Sequence, residues 1–227
     1  MYKAVLFDAY GTVLDVDSAA SRLAQSGQFP SLQAKWPELS ALWRSKQLSY
    51  SWLRSLSQHF VPFWQITCES LDYALEALDL DSPEMREALL DLYRQLDIYP
   101  EVDQLLQIIA QAGIPAAILS NGNHQMLQDA FTNAGVIHRF DKLLSVEDLG
   151  IFKPAPQVYQ FGCDSYTAQP EEILFASSNG WDAAAASAFG YTTFWANRSH
   201  MPVEKLPDAP RYIGHDLSEL IPLISST

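Results

Sequence analysis

What most limits how this chain can fold is a recurring pattern of short apolar runs that stop abruptly at small polar residues. Ala4-Val5-Leu6-Phe7 stops at Asp8 and a turn through Gly11, and Ile114–Leu119 stops at Ser120-Asn121-Gly122. Ile173–Ala176 stops at Ser177-Ser178-Asn179-Gly180, and Thr192–Ala196 is a further run. Continuous apolar runs of this length read as strands buried on both faces of a sheet. Between them lie segments with helical spacing: Glu101–Gln111 before Gly113, His124–Ala134 before Gly135, and Ala183–Phe189 before Gly190. Glycine just past a helical pattern is a stop signal. Strands alternating with helices predict an α/β fold with a parallel sheet, whose ligand crevice lies beyond the carboxyl ends of the strands.

From about Ser18 to Asp97 the texture differs. Leu39, Leu42, Trp43, Leu53, Leu56 and Phe60 recur at spacings near three, four and seven, as do Leu71, Ala74, Leu75 and Leu78, while Pro37 and Pro62 fit helix boundaries. The simplest architecture is a Rossmann-like core of residues 1–15 and 98–227, interrupted by a helical cap of residues 16–97 over the sheet's carboxyl edge. The 227 residues are 48% hydrophobic and 18% charged. No apolar run approaches the ~20 residues that a membrane helix needs. Lys3 and Asp8 precede any stretch that could serve as a secretory signal, so a cytoplasmic location is expected.

A formal charge of −13 disfavours nucleic acid, which needs a clustered basic footprint. It would also repel a small anion at long range, so an anion site must rely on local cations and backbone N–H donors. Cys68 and Cys163 are far apart and lack ligand spacing, so both are expected to be buried thiols; the five histidines are scattered, and no metal or cofactor is implied. Asn197-Arg198-Ser199 matches a glycosylation sequon, which without a secretory signal reads as chance.

Four stretches fall where the architecture places the crevice: Asp8–Thr12, Ser120–Gly122, Phe152-Lys153-Pro154, and Ser177–Asp182. Asp8 alone reads as a nucleophile, a metal ligand or a capping residue of a strand-to-turn connection. Together the stretches supply a carboxylate, hydroxyls, a lysine and a second carboxylate, a set suited to covalent catalysis by an aspartate.

The order and spacing of these stretches resemble the haloacid dehalogenase superfamily. FDAYGTVLDV, LWRSKQLSYSWLRSL, ILSNGN, KPAPQVY and SSNGWDA are similar in detail to its L-2-haloacid dehalogenases, cap included. The resemblance implies Asp8 as nucleophile, forming an ester as halide leaves, with Arg44, Asn121 and Phe63 around the halide. It implies Ser120 and the backbone amides of Ala9, Tyr10 and Asn121 as holders of the substrate carboxylate, and Thr12 and Lys153 as holders of the Asp8 side chain. Tyr159 is matched by its distance from Lys153. Ser177, Asn179 and Asp182 correspond to the group associated with ester hydrolysis, Asp182 as general base. Tyr10, Leu48, Phe63 and Trp181 would wall an apolar pocket around the substrate's alkyl group. Homodimerisation through cap helices is also implied. Ser45, where some members carry glutamine, is a departure that bears on pocket size.

Two rivals are a magnesium-dependent phosphatase and a catalytically silent small-anion binder. Superfamily phosphatases carry a second aspartate two positions after the nucleophile and an acidic metal ligand in the last motif. Here those places hold Tyr10 and Ser178, and a halide, being a weak base, needs no acid to leave. Retention of Asp8, Lys153 and Asp182 together argues against a silent binder.

Overall fold

The computed structural model describes residues 2–80 and 82–225. The first apolar run forms β1 (Ala4–Phe7), every residue of it buried. The chain then passes through helices α1 (Ser18–Gln25), α2 (Trp36–Ser57), α3 (Phe63–Ala77) and α4 (Pro83–Tyr93). After these come α5 (Val102–Gln111), β2 (Ala116–Ser120), α6 (His124–Asn133), β3 (Lys142–Ser145), α7 (Pro156–Tyr166) and β4 (Ile173–Ser177). The chain finishes with α8 (Gly180–Phe189), β5 (Thr192–Ala196), β6 (Tyr212–Gly214) and α9 (Ile221–Ser225).

The described strands form one parallel sheet in the order β3-β2-β1-β4-β5-β6. Phe7 of β1 lies beside Ile118 of β2 on one side and Ala176 of β4 on the other. The chain moves outward from β1 to β3 and then returns across β1 to β4, so the winding reverses at β1. Such a reversal sends the connections on its two sides to opposite faces and opens a crevice beyond the strand ends. Asp8 directly follows β1, while Ser120 and Ser177 close β2 and β4 at that edge.

Strand β2 begins at Ala116 rather than Ile114 because Pro115 has no N–H to give to the ladder; its carbonyl still accepts from the Val5 amide at 2.9 Å. Strands β3 and β6 have no counterpart in the apolar pattern. Both lie at the sheet's edges, where residues such as Lys142 and Ile213 face solvent and no continuous apolar run is required. Helix α8 starts at Gly180, ahead of the Ala183 expected from periodicity.

Helix α2 buries Leu39, Trp43, Gln47 and Ser51. A spacing of four residues rotates the buried line by about 40° at each step. By the end of the helix that line has turned away from Leu53 and Leu56, which are 57% and 82% exposed although periodicity grouped them with the apolar stripe. Cys163 is buried as expected, whereas Cys68 is only half-buried; neither forms a disulfide.

The two chain segments that join the helices α1–α4 to the sheet run side by side. Leu14 and Ile98 form an antiparallel bridge; the Asp15 amide donates to the Asp97 carbonyl at 2.8 Å, and the Tyr99 amide to the Val13 carbonyl at 3.1 Å.

Candidate active site

The turn after β1 sets the geometry of Asp8. The amides of Thr12, Val13 and Leu14 all point to the Ala9 carbonyl, and Gly11 takes φ +88°, a conformation that side-chain-bearing residues rarely adopt. This tight reversal folds Thr12 back onto Asp8, so that Thr12 Oγ1 donates to Asp8 Oδ2 at 3.0 Å. Asn179 Nδ2 donates to the same oxygen at 2.9 Å, and Lys153 Nζ donates to Oδ1 at 3.1 Å. The Asp8 carboxylate is thus held on three sides while remaining 6% exposed.

Lys153 stands between two carboxylates. Besides Asp8 it reaches Asp182 Oδ2 at 2.8 Å, and its own backbone amide donates to Asn121 Oδ1 at 2.9 Å. Burial opposes its charge, but Asp182 and Asp8 outweigh burial and raise the ammonium above its ordinary range. Asp182 lies in the first turn of α8, fully buried, and its carboxylate also accepts from Tyr159 Oη at 2.8 Å and Ser177 Oγ at 3.0 Å. Burial pushes the Asp182 carboxyl up, Lys153 pulls it back, and the like charge of Asp8 adds to the rise. Burial and then the Asp182 carboxylate push the Tyr159 hydroxyl far up, which keeps it a neutral donor.

Asn179 occupies the cap position of α8 but gives no side-chain cap; the Ser177 hydroxyl accepts its amide at 3.1 Å instead. The freed side chain joins Asp8 to α2, because Asn179 Oδ1 accepts from Arg44 Nη2 at 3.4 Å while Arg44 Nη2 also donates to the Tyr10 carbonyl at 3.0 Å. Arg44 is therefore turned into the crevice and away from the solvated face of its helix. Ser120 is fully buried, its Oγ accepting the Gly122 amide at 3.0 Å. Around it, the amides of Ala9, Tyr10 and Asn121 have no backbone acceptor among the described residues, leaving an array of donors at the ends of β1 and β2.

The apolar residues divide into two layers. Leu48 and Trp181 line a cleft of about 710 Å³ together with Gly11, Arg44 and Asn179. Tyr10 and Phe63, expected to wall the same pocket, are 3% and 1% exposed with ring centroids 6.4 Å apart and do not line that cleft. Tyr10 is fixed from behind by Tyr93, stacked at 5.7 Å, whose hydroxyl accepts from Gln47 Nε2 at 3.2 Å. A β-carbon at Gly122 would lie 2.7 Å from the Tyr10 ring, so the turn after β2 can approach this ring so closely only at a glycine. The Gln47–Tyr93 support has no local sequence signal, since its members lie on different helices.

The family model described as a haloacid dehalogenase-like hydrolase matches residues 2–190. The chain belongs to this family. It is 41% identical to (S)-2-haloacid dehalogenase 1 of Pseudomonas sp. strain CBS-3 over 98% of this chain and 96% of that protein. It superposes with a TM-score of 0.92 on a dehalogenase crystallised with an intermediate complex, at 40% identity over 98% of this chain and 96% of that one. A third likeness, at 32% identity and a TM-score of 0.86 over the whole of both chains, is to the L-2-haloacid dehalogenase of Xanthobacter autotrophicus with chloropropionic acid covalently bound.

The chain is thus a hydrolase of the haloacid dehalogenase family with that family's α/β fold. Its donor set does not fit the magnesium ion used by phosphatases of this family. Tyr10 and Ser178 contribute neutral groups beside Asp8, and the Ser178 amide is already committed to Thr12 Oγ1 at 2.8 Å. Among the described residues, no three His, Cys, Asp or Glu side chains converge on one point. No described helix is long and apolar enough to cross a membrane.

Proposed function

We propose that this chain converts (S)-2-haloalkanoic acids to (R)-2-hydroxy acids, with no metal or organic cofactor. One observation carries the reading: the Asp8 carboxylate is held by Thr12, Asn179 and Lys153, and the position two residues on, where a phosphatase of this family carries its proton-donating aspartate, holds Tyr10. A phosphate ester's alkoxide must be protonated as it departs, whereas halide leaves as a stable anion. In the first step an Asp8 oxygen attacks the halogen-bearing carbon; the C–O bond forms as the carbon–halogen bond breaks with inversion, and Arg44, Asn121 and Phe63 receive the halide. Ser120 and the free amides of Ala9, Tyr10 and Asn121 hold the substrate carboxylate. In the second step water attacks the carboxyl carbon of the ester and Asp182 takes its proton; the bond from that carbon to the substrate oxygen then breaks, Asp182 passes the proton to the departing oxygen, and the second water proton is lost to solvent as Asp8 returns to a carboxylate. Esterification abolishes the Asp8 charge, so Lys153 then serves Asp182 alone and favours its ionised, basic form.

The same reading makes residues 16–97 a cap that closes over the crevice by way of Arg44 and Leu48. It also pairs two copies through the cap, where Leu53, Leu56 and Tyr73 lie exposed on α2 and α3. A cytoplasmic setting fits its two free thiols.

Halide release from (S)-2-chloropropionate should continue at full rate in excess EDTA, with p-nitrophenyl phosphate left untouched. Loss of dehalogenation restored by magnesium, or robust phosphatase turnover, would return the phosphatase reading. Arg44→Lys should lower kcat by ~100-fold or more with an unchanged circular dichroism spectrum, because an ammonium cannot reproduce the planar fork of a preorganised donor. Near-normal turnover would remove Arg44 from the leaving-group site.

A further inference from the structure

The Asn197-Arg198-Ser199 tripeptide, which resembles a glycosylation sequon, has a different use in the fold. The Asn197 side chain is engaged at both ends with Met201: Nδ2 donates to the Met201 carbonyl at 2.8 Å and Oδ1 accepts the Met201 amide at 2.9 Å. This closes the loop after β5 and directs Arg198 toward the turn that carries Asp8.

Arg198 makes three contacts there. Its Nη2 donates to the Thr12 carbonyl at 2.9 Å and to Glu101 Oε1 at 2.6 Å, and its guanidinium lies 3.6 Å from the centroid of the Tyr99 ring. Glu101 Oε1 in turn accepts the Leu217 amide at 3.3 Å. The Arg198 and Glu101 side chains are only 18% and 15% exposed, so the pair is largely withdrawn from solvent screening. Thr12 begins the outgoing segment between sheet and cap, and Tyr99 ends the returning one; the two are joined by the Leu14–Ile98 bridge. One guanidinium therefore fastens both crossing segments at the point where Thr12, through its hydroxyl, holds Asp8 Oδ2.

We infer that Arg198 is a positioning residue for the first chemical step: by gripping the Thr12 carbonyl, with Glu101 as its counter-charge, it fixes the Asp8 carboxylate in line for attack. The inference rests on the proposed covalent mechanism. Its effect falls mainly on the first step, in which an Asp8 oxygen must lie in line with the carbon–halogen bond; the second step also involves the Asp8 carboxyl carbon, but the water is aimed by Asp182 and its partners Lys153, Ser177 and Tyr159, none of which Arg198 touches. Misplacement of a reacting group by about 1 Å can cost about 100-fold in rate, so loosening this grip is expected to slow ester formation far more than ester hydrolysis.

The test is rapid-quench kinetics on the whole enzyme with (S)-2-chloropropionate, scoring halide release for ester formation and hydroxy acid release for ester hydrolysis in a single turnover. Arg198→Lys should slow ester formation about 10-fold or more and leave hydrolysis of the accumulated ester within about twofold of wild type. Glu101→Gln keeps an acceptor for Arg198 and Leu217 but removes the counter-charge; it should give the same one-sided slowing at about threefold. Glu101→Gln also provides the reading if Arg198→Lys does not fold. Equal slowing of both steps, or slowing of neither, in a folded variant overturns the positioning role. Absence of any ester in the wild type would instead overturn the covalent mechanism, so the two failures are told apart.

Discussion

In a single turnover in H₂¹⁸O with enzyme in excess, the hydroxy acid product carries no label and the peptide containing Asp8 gains it. The expectation follows from the bonds made. On the proposed mechanism the new oxygen on the substrate carbon is a carboxylate oxygen of Asp8, and water then restores Asp8 by attacking its carboxyl carbon. Direct hydrolysis would put solvent oxygen in the product and leave the peptide unlabelled, which would remove Asp8 from the nucleophile's role. The same displacement should convert (S)-2-chloropropionate to (R)-lactate and leave the (R) substrate largely unconsumed. Asp8→Asn should abolish halide release.

The largest structural loss is expected at Lys153. Methionine matches the length of its stem but leaves two buried carboxylates without their cation, and removing one partner of a buried charged cluster typically costs about 3–5 kcal/mol. Lys153→Met should therefore show no measurable dehalogenation and a clearly lowered denaturation midpoint at pH 7. Its stability should recover on acidification. Burial already raises the Asp182 carboxyl above its ordinary value of 3.8, and Lys153 is what pulls it back. A carboxyl whose folded pKa is raised binds its proton more tightly in the folded state. Its stabilising contribution is present at low pH and is lost as pH rises from 3.8 through the raised value. Adding Asp182→Asn to Lys153→Met should restore much of the loss at pH 7. An unchanged midpoint in the single variant, or a midpoint that falls on mild acidification, would contradict this account of the cluster.

The parts of this site that announce themselves in the sequence are those tied to local pattern. Asp8 and Ser177 sit where apolar runs end, and Asp182 sits in a first helical turn, so strand and helix signals suffice to bring them together. Arg44 is different: by composition it belongs to an ordinary amphipathic helix, and only its resemblance to a known motif separates it from a solvated arginine. Neither route reveals that Lys153 spans two carboxylates, because that depends on how a loop between β3 and α7 enters the crevice. Glu101 and Arg198 are further still from local legibility, being 97 residues apart with no periodic signal at either end. The short edge strands β3 and β6 carry no strand signal for the complementary reason: partial exposure relaxes the demand for apolar residues on which the strand pattern depends.

Two carboxylates, Asp8 and Asp182, and two cations, Lys153 and Arg44, meet around Asn179, Ser177 and the turn after β1. On the proposed mechanism these four charges balance at rest, and the balance survives esterification, because the ester abolishes the Asp8 charge but keeps the substrate's carboxylate in the pocket in its place. The halide liberated beside Arg44 is then the one uncompensated charge, and hydrolysis, which restores Asp8, leaves the hydroxy acid anion in the same position. Each product would thus depart from a pocket that needs no counter-ion to remain neutral, so accumulated product salt should occupy it little between turnovers.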